Sequence, residues 1–267
     1  MRVAMPLAQL LRNGLIVQGR VLYALMLREI HTINGNSKLG YLWVLIQSVF
    51  SIAVFWTLRV YMNAHAPQGM SMALFLAVGF GMWGIFSDGI TKTMTAVAGN
   101  RALLTFPQVT ELDVMISRIC VITATQVLTT AIIIGASVLF GSEFRPDGLL
   151  TGIGVLIFSP LCALGMGMIL GSLAVFAPVL EKLVPMLLRI AFFVSGVFFS
   201  ITAFKQDVAD ILLYNPVMQA IEMMRVSLHD GYVVDGLSFS YLAACTLATL
   251  VIGGFLERYV RARRKDQ

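Results

Sequence analysis

Long apolar runs separated by polar connections dominate the pattern of this chain. Six stretches, residues 40–61, 70–91, 116–140, 149–176, 183–204 and 237–257, each hold about 20 or more predominantly apolar residues. At a rise of about 1.5 Å per residue, each is long enough for a hydrocarbon core of about 30 Å. Backbone amides in lipid must be satisfied within their own segment, so the runs are predicted to be six transmembrane helices.

The connections carry their own periodicities. In residues 1–39, Leu7, Leu10, Leu11 and Leu15 recur at helical spacing. A shorter apolar piece, 21–27, is bracketed by Arg20 and Arg28. This predicts an amphipathic helix in the membrane interface with its basic residues near anionic headgroups, and Asn34-Gly35-Asn36 then turns the chain into the first span. The loops 62–69, 141–148 and 177–182 are short, whereas 92–115 and 205–236 are long, and long loops in a compact protein tend to carry function. In the first long loop, Met94, Val97, Ala98, Arg101 and Leu104 at helical spacing before Pro107 predict a short helix, which rests on the membrane or docks into a partner. In the second, Asn215 can cap a helix with Pro216 at its first position. Val217, Met218, Ile221, Met224 and Leu228 share one face there. Gln219, Glu222 and Arg225 share another, the last two spaced as an i,i+3 ion pair. Such a helix is interfacial or re-entrant, and re-entry requires protein or water around it. Loss of the Glu222–Arg225 pair is expected to impair function more than assembly.

Composition agrees: 58% of the 267 residues are hydrophobic and 12% charged, with a mean hydropathy of +0.85, whereas a soluble domain carries about a quarter charged residues. The net charge of +5 could suggest nucleic acid, but its distribution says otherwise. With the N-terminus inside, fifteen of the 19 basic residues fall on inner segments, leaving Arg59, Arg145, Lys205 and Arg225 outside. This positive-inside bias places both termini in the cytoplasm and predicts no nucleic-acid partner. The N-terminus lacks an apolar core followed by a small-residue cleavage site, so no cleaved signal is expected. Cys120, Cys162 and Cys245, one per span, read as packing residues.

Reactive chemistry is sparse. His31, His65 and His229 are scattered, no HExxH or Gly-x-Ser-x-Gly pattern occurs, and no Gly-Lys pair exists from which a P-loop could be built. No catalytic residue and no metal site is therefore expected. Charges within the spans sit toward their ends: Arg59, Asp88 with Lys92 at i,i+4, and Arg189 in the inner part of the fifth. The midplane is polar only through small groups such as Ser51, Thr125, Thr129 and Ser159, which offer no proton or sodium relay. Energy must come from elsewhere. Gly167-x-x-x-Gly171 allows close helix approach, within the chain or at a dimer seam. Aromatics near the span ends, Tyr41, Trp43, Trp56, Tyr61, Trp83, Phe86, Phe192, Phe193, Phe198 and Phe199, are interface belt or, for a minority, a stacking surface for sugar rings.

Two groups of residues resemble a known family. Leu27-Arg28-Glu29-Ile30 followed by Lys38-Leu39-Gly40-Tyr41-Leu42-Trp43 resembles the approach to the first span in permeases of type-2 ABC exporters for polysaccharide. Tyr214-Asn215-Pro216, Glu222, Arg225, Gly231-Tyr232 and Tyr241-Leu242-Ala243 resemble the outer segment of capsular polysaccharide export permeases. Ser48 stands where that family commonly has proline. The resemblance implies an all-α membrane protein: a 1–39 amphipathic segment, a six-helix domain over 40–258, helices before the last span at the outer face, and a basic tail, 259–267. It also implies a bacterial inner-membrane homodimer working with two copies of a cytoplasmic ATP-binding subunit, which holds the ATP and Mg, so that no cofactor sits on this chain. The cargo implied is a lipid-linked acidic polysaccharide, passed onward to periplasmic and outer-membrane components. O-antigen, teichoic acid or a small drug are alternative cargoes, and a membrane-embedded lipid or glycan enzyme is the alternative class. By likeness, Asn100, Arg101, Leu103, Leu104, Phe106 and Pro107 form the coupling helix on the ATPase, flanked by Arg28 and Glu29. Candidates for the path or exit are Tyr41, Trp43, Trp56, Arg59, Tyr61, Trp83, Asn215, Glu222 and Arg225.

Overall fold

The computed structural model describes residues 7–33, 40–61, 67–100, 102–106 and 108–265. Its elements are helices: α1 (Leu7–Ile33), α2 (Gly40–Tyr61), α3 (Met72–Met94), α4 (Ala96–Gly99), α5 (Glu111–Leu139), α6 (Leu149–Phe176), α7 (Leu180–Val194), α8 (Gln206–Leu213), α9 (Pro216–Leu228) and α10 (Phe239–Lys265). Four of them, α3, α5, α6 and α10, are long and apolar enough to cross a membrane, and α2 contributes the shorter apolar stretch Ile46–Leu58.

α3 is the axis of the bundle. Phe75, Leu76, Ala77, Val78, Ile85 and Phe86 on it are buried, because α5, α6, α7, α9 and α2 all pack against it. α6 lies between α3 and α10. Its small residues serve both contacts: a Cβ at Gly165 would lie 2.6 Å from the Thr249 backbone of α10, and one at Gly171 would lie 2.9 Å from the Met94 carbonyl of α3. The Gly167–Gly171 stripe thus packs inside the chain, the first of its two sequence readings.

The N-terminal apolar pieces form one helix of 27 residues, since nothing between them breaks the 3.6-residue repeat. Two elements depart from expectation. The fifth run stops as a helix at Val194, ten residues before its apolar end. There the Ser195 hydroxyl bonds back to the Ala191 carbonyl at 2.7 Å, and Gly196 at φ +76° turns the chain away. The helix that remains, 15 residues, spans about 22 Å. Finally, α9 buries both faces. Gln219, Glu222 and Arg225 are as enclosed as Met218 and Ile221, because α3 and α6 cover it.

Candidate functional site: a junction, a groove and a buried ion pair

At one end of the bundle, α1 is tied to the loop that follows α3. Sequence periodicity predicts a short helix through Leu104, ended by Pro107, and the family resemblance implies a coupling helix over 100–107; instead helix ends with the four residues of α4. Beyond it Leu103, Phe106 and Val109 donate to the carbonyls of Asn100, Leu103 and Phe106 in successive turns. The correction has a local cause. Asn100 folds its own side chain back, Nδ2 donating to the Ala96 carbonyl at 2.9 Å, which competes with helix continuation. Its Oδ1 accepts from Arg28 Nη1 at 2.8 Å, which fixes the loop to α1. Next to this contact, Glu29 pairs with Arg118 of α5 at 2.9 Å, and Arg118 Nη1 donates to the Lys92 carbonyl of α3 at 3.0 Å. Gln18 of α1 also bonds Asp113, the residue that closes a capping box with Thr110 at the start of α5. Arg28, Glu29 and Asn100 therefore meet. Leu103 and Leu104 are half-buried against the core, and Phe106 is 59% exposed. Arg101 and Pro107 lie outside the described residues. Sequence reasoning missed Arg118 as a junction residue; the signal was a charge two residues inside an apolar run.

Between α2, α3, α5 and α7 a groove runs inward from this junction. Two adjoining lobes of about 700 and about 540 Å³ share Gln47, Asp88 and Gln126. The first lobe reaches Lys92, Arg118 and Glu181 at the junction end. The second carries Ser51, Arg189, Trp83 and Phe192. Gln126 Nε2 donates to Asp88 Oδ2 at 3.2 Å, whereas Asp88 and Lys92 form no ion pair among the described residues. At the far end of the groove six aromatic rings interlock. Phe192 lies 5.6 Å from Trp83, 5.7 Å from Phe80 and 4.8 Å from Phe198 between centroids, with Phe55 4.2 Å from Phe198 and Phe193 5.4 Å from Phe192. Carboxamides, hydroxyls and flat aromatic faces side by side suit polyhydroxylated rings, which need polar partners at their edges and apolar ones at their C–H faces.

Of the path candidates, Trp83 lines this groove. Trp56 and Tyr61 stand exposed on α2, at 53% and 85%. The side chains of Tyr41, Trp43 and Arg59 lie outside the described residues. Asn215, Glu222 and Arg225 are elsewhere, in the packing of α9. Asn215 caps that helix by accepting from the Val217 amide at 3.0 Å, with Pro216 at its first position, and its Nδ2 donates to Ser195 Oγ at 3.2 Å. Glu222 and Arg225 are fully buried and pair at 3.2 Å. Arg225 also donates to the carbonyls of Phe75, Val197 and Phe199 at 3.3, 3.0 and 3.3 Å, its guanidinium lying 3.5 Å over the Phe75 ring. Glu222 accepts from the Ile201 amide at 3.2 Å and from the Tyr232 phenol at 2.7 Å; Ser200 Oγ is 2.6 Å from the same phenol. Burial, then the Glu222 carboxylate, pushes the Tyr232 phenol far above its ordinary range, so it stays a donor. The cluster ties α9 to α3 and to the turn after α7.

The chain is similar to proteins of known role along nearly its whole length. Residues 20–229 match the ABC-2 type transporter family. The polysialic acid transport protein KpsM of Escherichia coli is 30% identical over 249 residues, 92% of this chain and 96% of that protein. The capsule polysaccharide export inner-membrane protein CtrC of Neisseria meningitidis is 23% identical, covering 90% and 91% of the two chains. The corresponding BexB of Haemophilus influenzae is 24% identical, covering 91% of each. With a family match over most of the bundle and a relative aligned almost end to end, this chain belongs to the ABC-2 type transporter family.

Proposed function

We propose that this chain is the membrane permease of an ATP-driven exporter that moves a lipid-linked capsular polysaccharide from cytoplasm to periplasm. The observation that carries the reading is the groove: a polar, aromatic-ended channel wall in a largely apolar bundle, opening next to the α1–loop junction. Relatives named for capsule polysaccharide export, matched over nine-tenths of their length, support the same cargo. In this reading α2, α3, α5, α6, α7 with the turn after it, and α10 are the six spans, 1–39 and 259–267 flank them, and both termini are cytoplasmic. Two copies, each contributing one groove wall, enclose the path. Phe106 and its neighbours seat on an ATP-binding subunit that supplies the motor this sequence lacks, and Arg28, Glu29 and Arg118 pass its movement to α1, α3 and α5.

The test is direct. The full chain with its ATP-binding subunit, in lipid nanodiscs, should hydrolyse ATP faster when lipid-linked capsule glycan is added, and a deletion strain should lose surface capsule while still making the polymer inside. Unchanged turnover together with intact capsule would overturn the proposal.

A further inference from the structure

We infer that Arg189 reads the negative charge of the cargo, its guanidinium binding an anionic group, a sugar carboxylate or a lipid-anchor phosphate, as it enters the groove. This rests on the groove being the export path. Arg189 sits in the middle of α7, and its neighbours Met186, Leu187, Ile190 and Phe193 are exposed apolar residues. A permanently charged group on such a helix is retained where it faces a water-filled cavity or an opposite charge, and Arg189 lines the groove lobe of about 540 Å³.

Among the described residues no acidic side chain pairs with it, and it takes part in no side-chain hydrogen bond. The other cations of the groove are differently placed. Arg118 is held by Glu29 and the Lys92 carbonyl, and Lys92 is at the junction end, one turn from Asp88. The carboxylates are also accounted for. Glu29 belongs to Arg118, and Glu181 lies on α7 eight residues before Arg189, about 12 Å along the axis. Asp88 faces the same lobe, but it accepts from Gln126, and among the described residues no ion pair joins it to Arg189. Arg189 thus lines, with no carboxylate paired to it among the described residues, a lobe that Phe192 and Trp83 also line. A planar fork matches carboxylate or phosphate bidentately, which an ammonium cannot do. An acidic sugar would meet charge at its carboxylate and an aromatic face at its ring.

The experiment uses the full chain with its ATP-binding subunit in neutral phosphatidylcholine nanodiscs. Calorimetric binding is measured for three probes: a sialic acid tetramer, the same tetramer with its carboxylates converted to methylamides, and a short-chain phosphatidylglycerol. Arg189→Gln should weaken the acidic tetramer about tenfold, as loss of one charge-assisted contact does, and leave the neutral tetramer unchanged. Arg189→Lys should restore only part of the loss, and Asp88→Asn should tighten the acidic tetramer. Loss confined to phosphatidylglycerol assigns Arg189 to the anchor phosphate instead of the sugar. Arg189→Gln protein that melts like wild type and binds all three probes equally well overturns the inference while leaving the export reading intact. Wild-type protein that binds neither tetramer overturns the export reading, and this inference with it.

Discussion

At the residue scale, the behaviour of a charge follows from what surrounds it. Glu222 and Arg225 read in sequence as an i,i+3 pair, candidates for the path or exit, whose loss would impair export more than assembly. Fully enclosed, with the three carbonyls, the Phe75 ring and the Tyr232 phenol completing their partners, they are positioned to hold the fold. Arg225→Met should leave the Glu222 carboxylate uncompensated and cost about 3–5 kcal/mol, seen as a loss of membrane-inserted protein and of thermal stability in detergent. Tyr232→Phe removes one donor and should cost about 1–3 kcal/mol, leaving the protein present but with a lowered melting temperature. If Arg225→Met protein accumulates normally and fails only in export, the pair belongs to the path after all. Asn215 was legible as a cap from three residues of sequence, and the structure gives it that bond; its link to Ser195 was not, because twenty residues separate the two.

At the element scale, the long loop after α3 is where sequence periodicity and structure part. Apolar residues at helical spacing suggested a short helix, and the family resemblance implied that its Leu103, Leu104 and Phe106 would all be available to a partner. In the turns that form instead, the two leucines pack into the core and Phe106 alone of the three is well exposed. Phe106→Asp should therefore reduce co-purification of the ATP-binding subunit with no change in the amount of inserted permease. Leu104→Asp should lower that amount, because it places a charge against the core. Equal effects of both on abundance would contradict this division. The Glu29–Arg118 pair, with side chains 12% and 14% exposed, is screened little by solvent. The swapped pair Glu29→Arg with Arg118→Glu should recover most of the ATPase coupling that either single change removes, as measured in a double-mutant cycle.

At the scale of the whole molecule, close backbone approach sets the shape of the bundle. α6 touches α10 at Gly165 and α3 at Gly167 and Gly171, so a side chain at these positions must push helices apart. Gly165→Val should destabilise the chain by about 1–3 kcal/mol, read as reduced abundance and earlier aggregation on heating. A variant that stays fully stable but separates two copies would instead mark this stripe as a seam between subunits. Orientation is tested on the same scale: in a background lacking Cys120, Cys162 and Cys245, a thiol placed at Phe106 should react with a membrane-impermeant reagent only after the inner face is opened. Labelling in sealed cells would invert the topology and remove the ATPase from the junction.

By itself, the sequence determined what is encoded within a few turns of chain. Apolar runs and their caps suggest where helices lie, the distribution of Lys and Arg suggests which side they face, and the sequence contains no Gly-Lys pair. Those signals are local because hydrogen bonding, side-chain periodicity and capping act over three or four residues. Only tertiary structure decided which polar residues are enclosed and which line open space. Arg225 reaches a carbonyl 150 residues away, Gln126 meets Asp88 across 38, and the groove draws its lining from α1, α2, α3, α4, α5 and α7. Burial is a property of neighbours brought together by packing, and no window along the chain contains them.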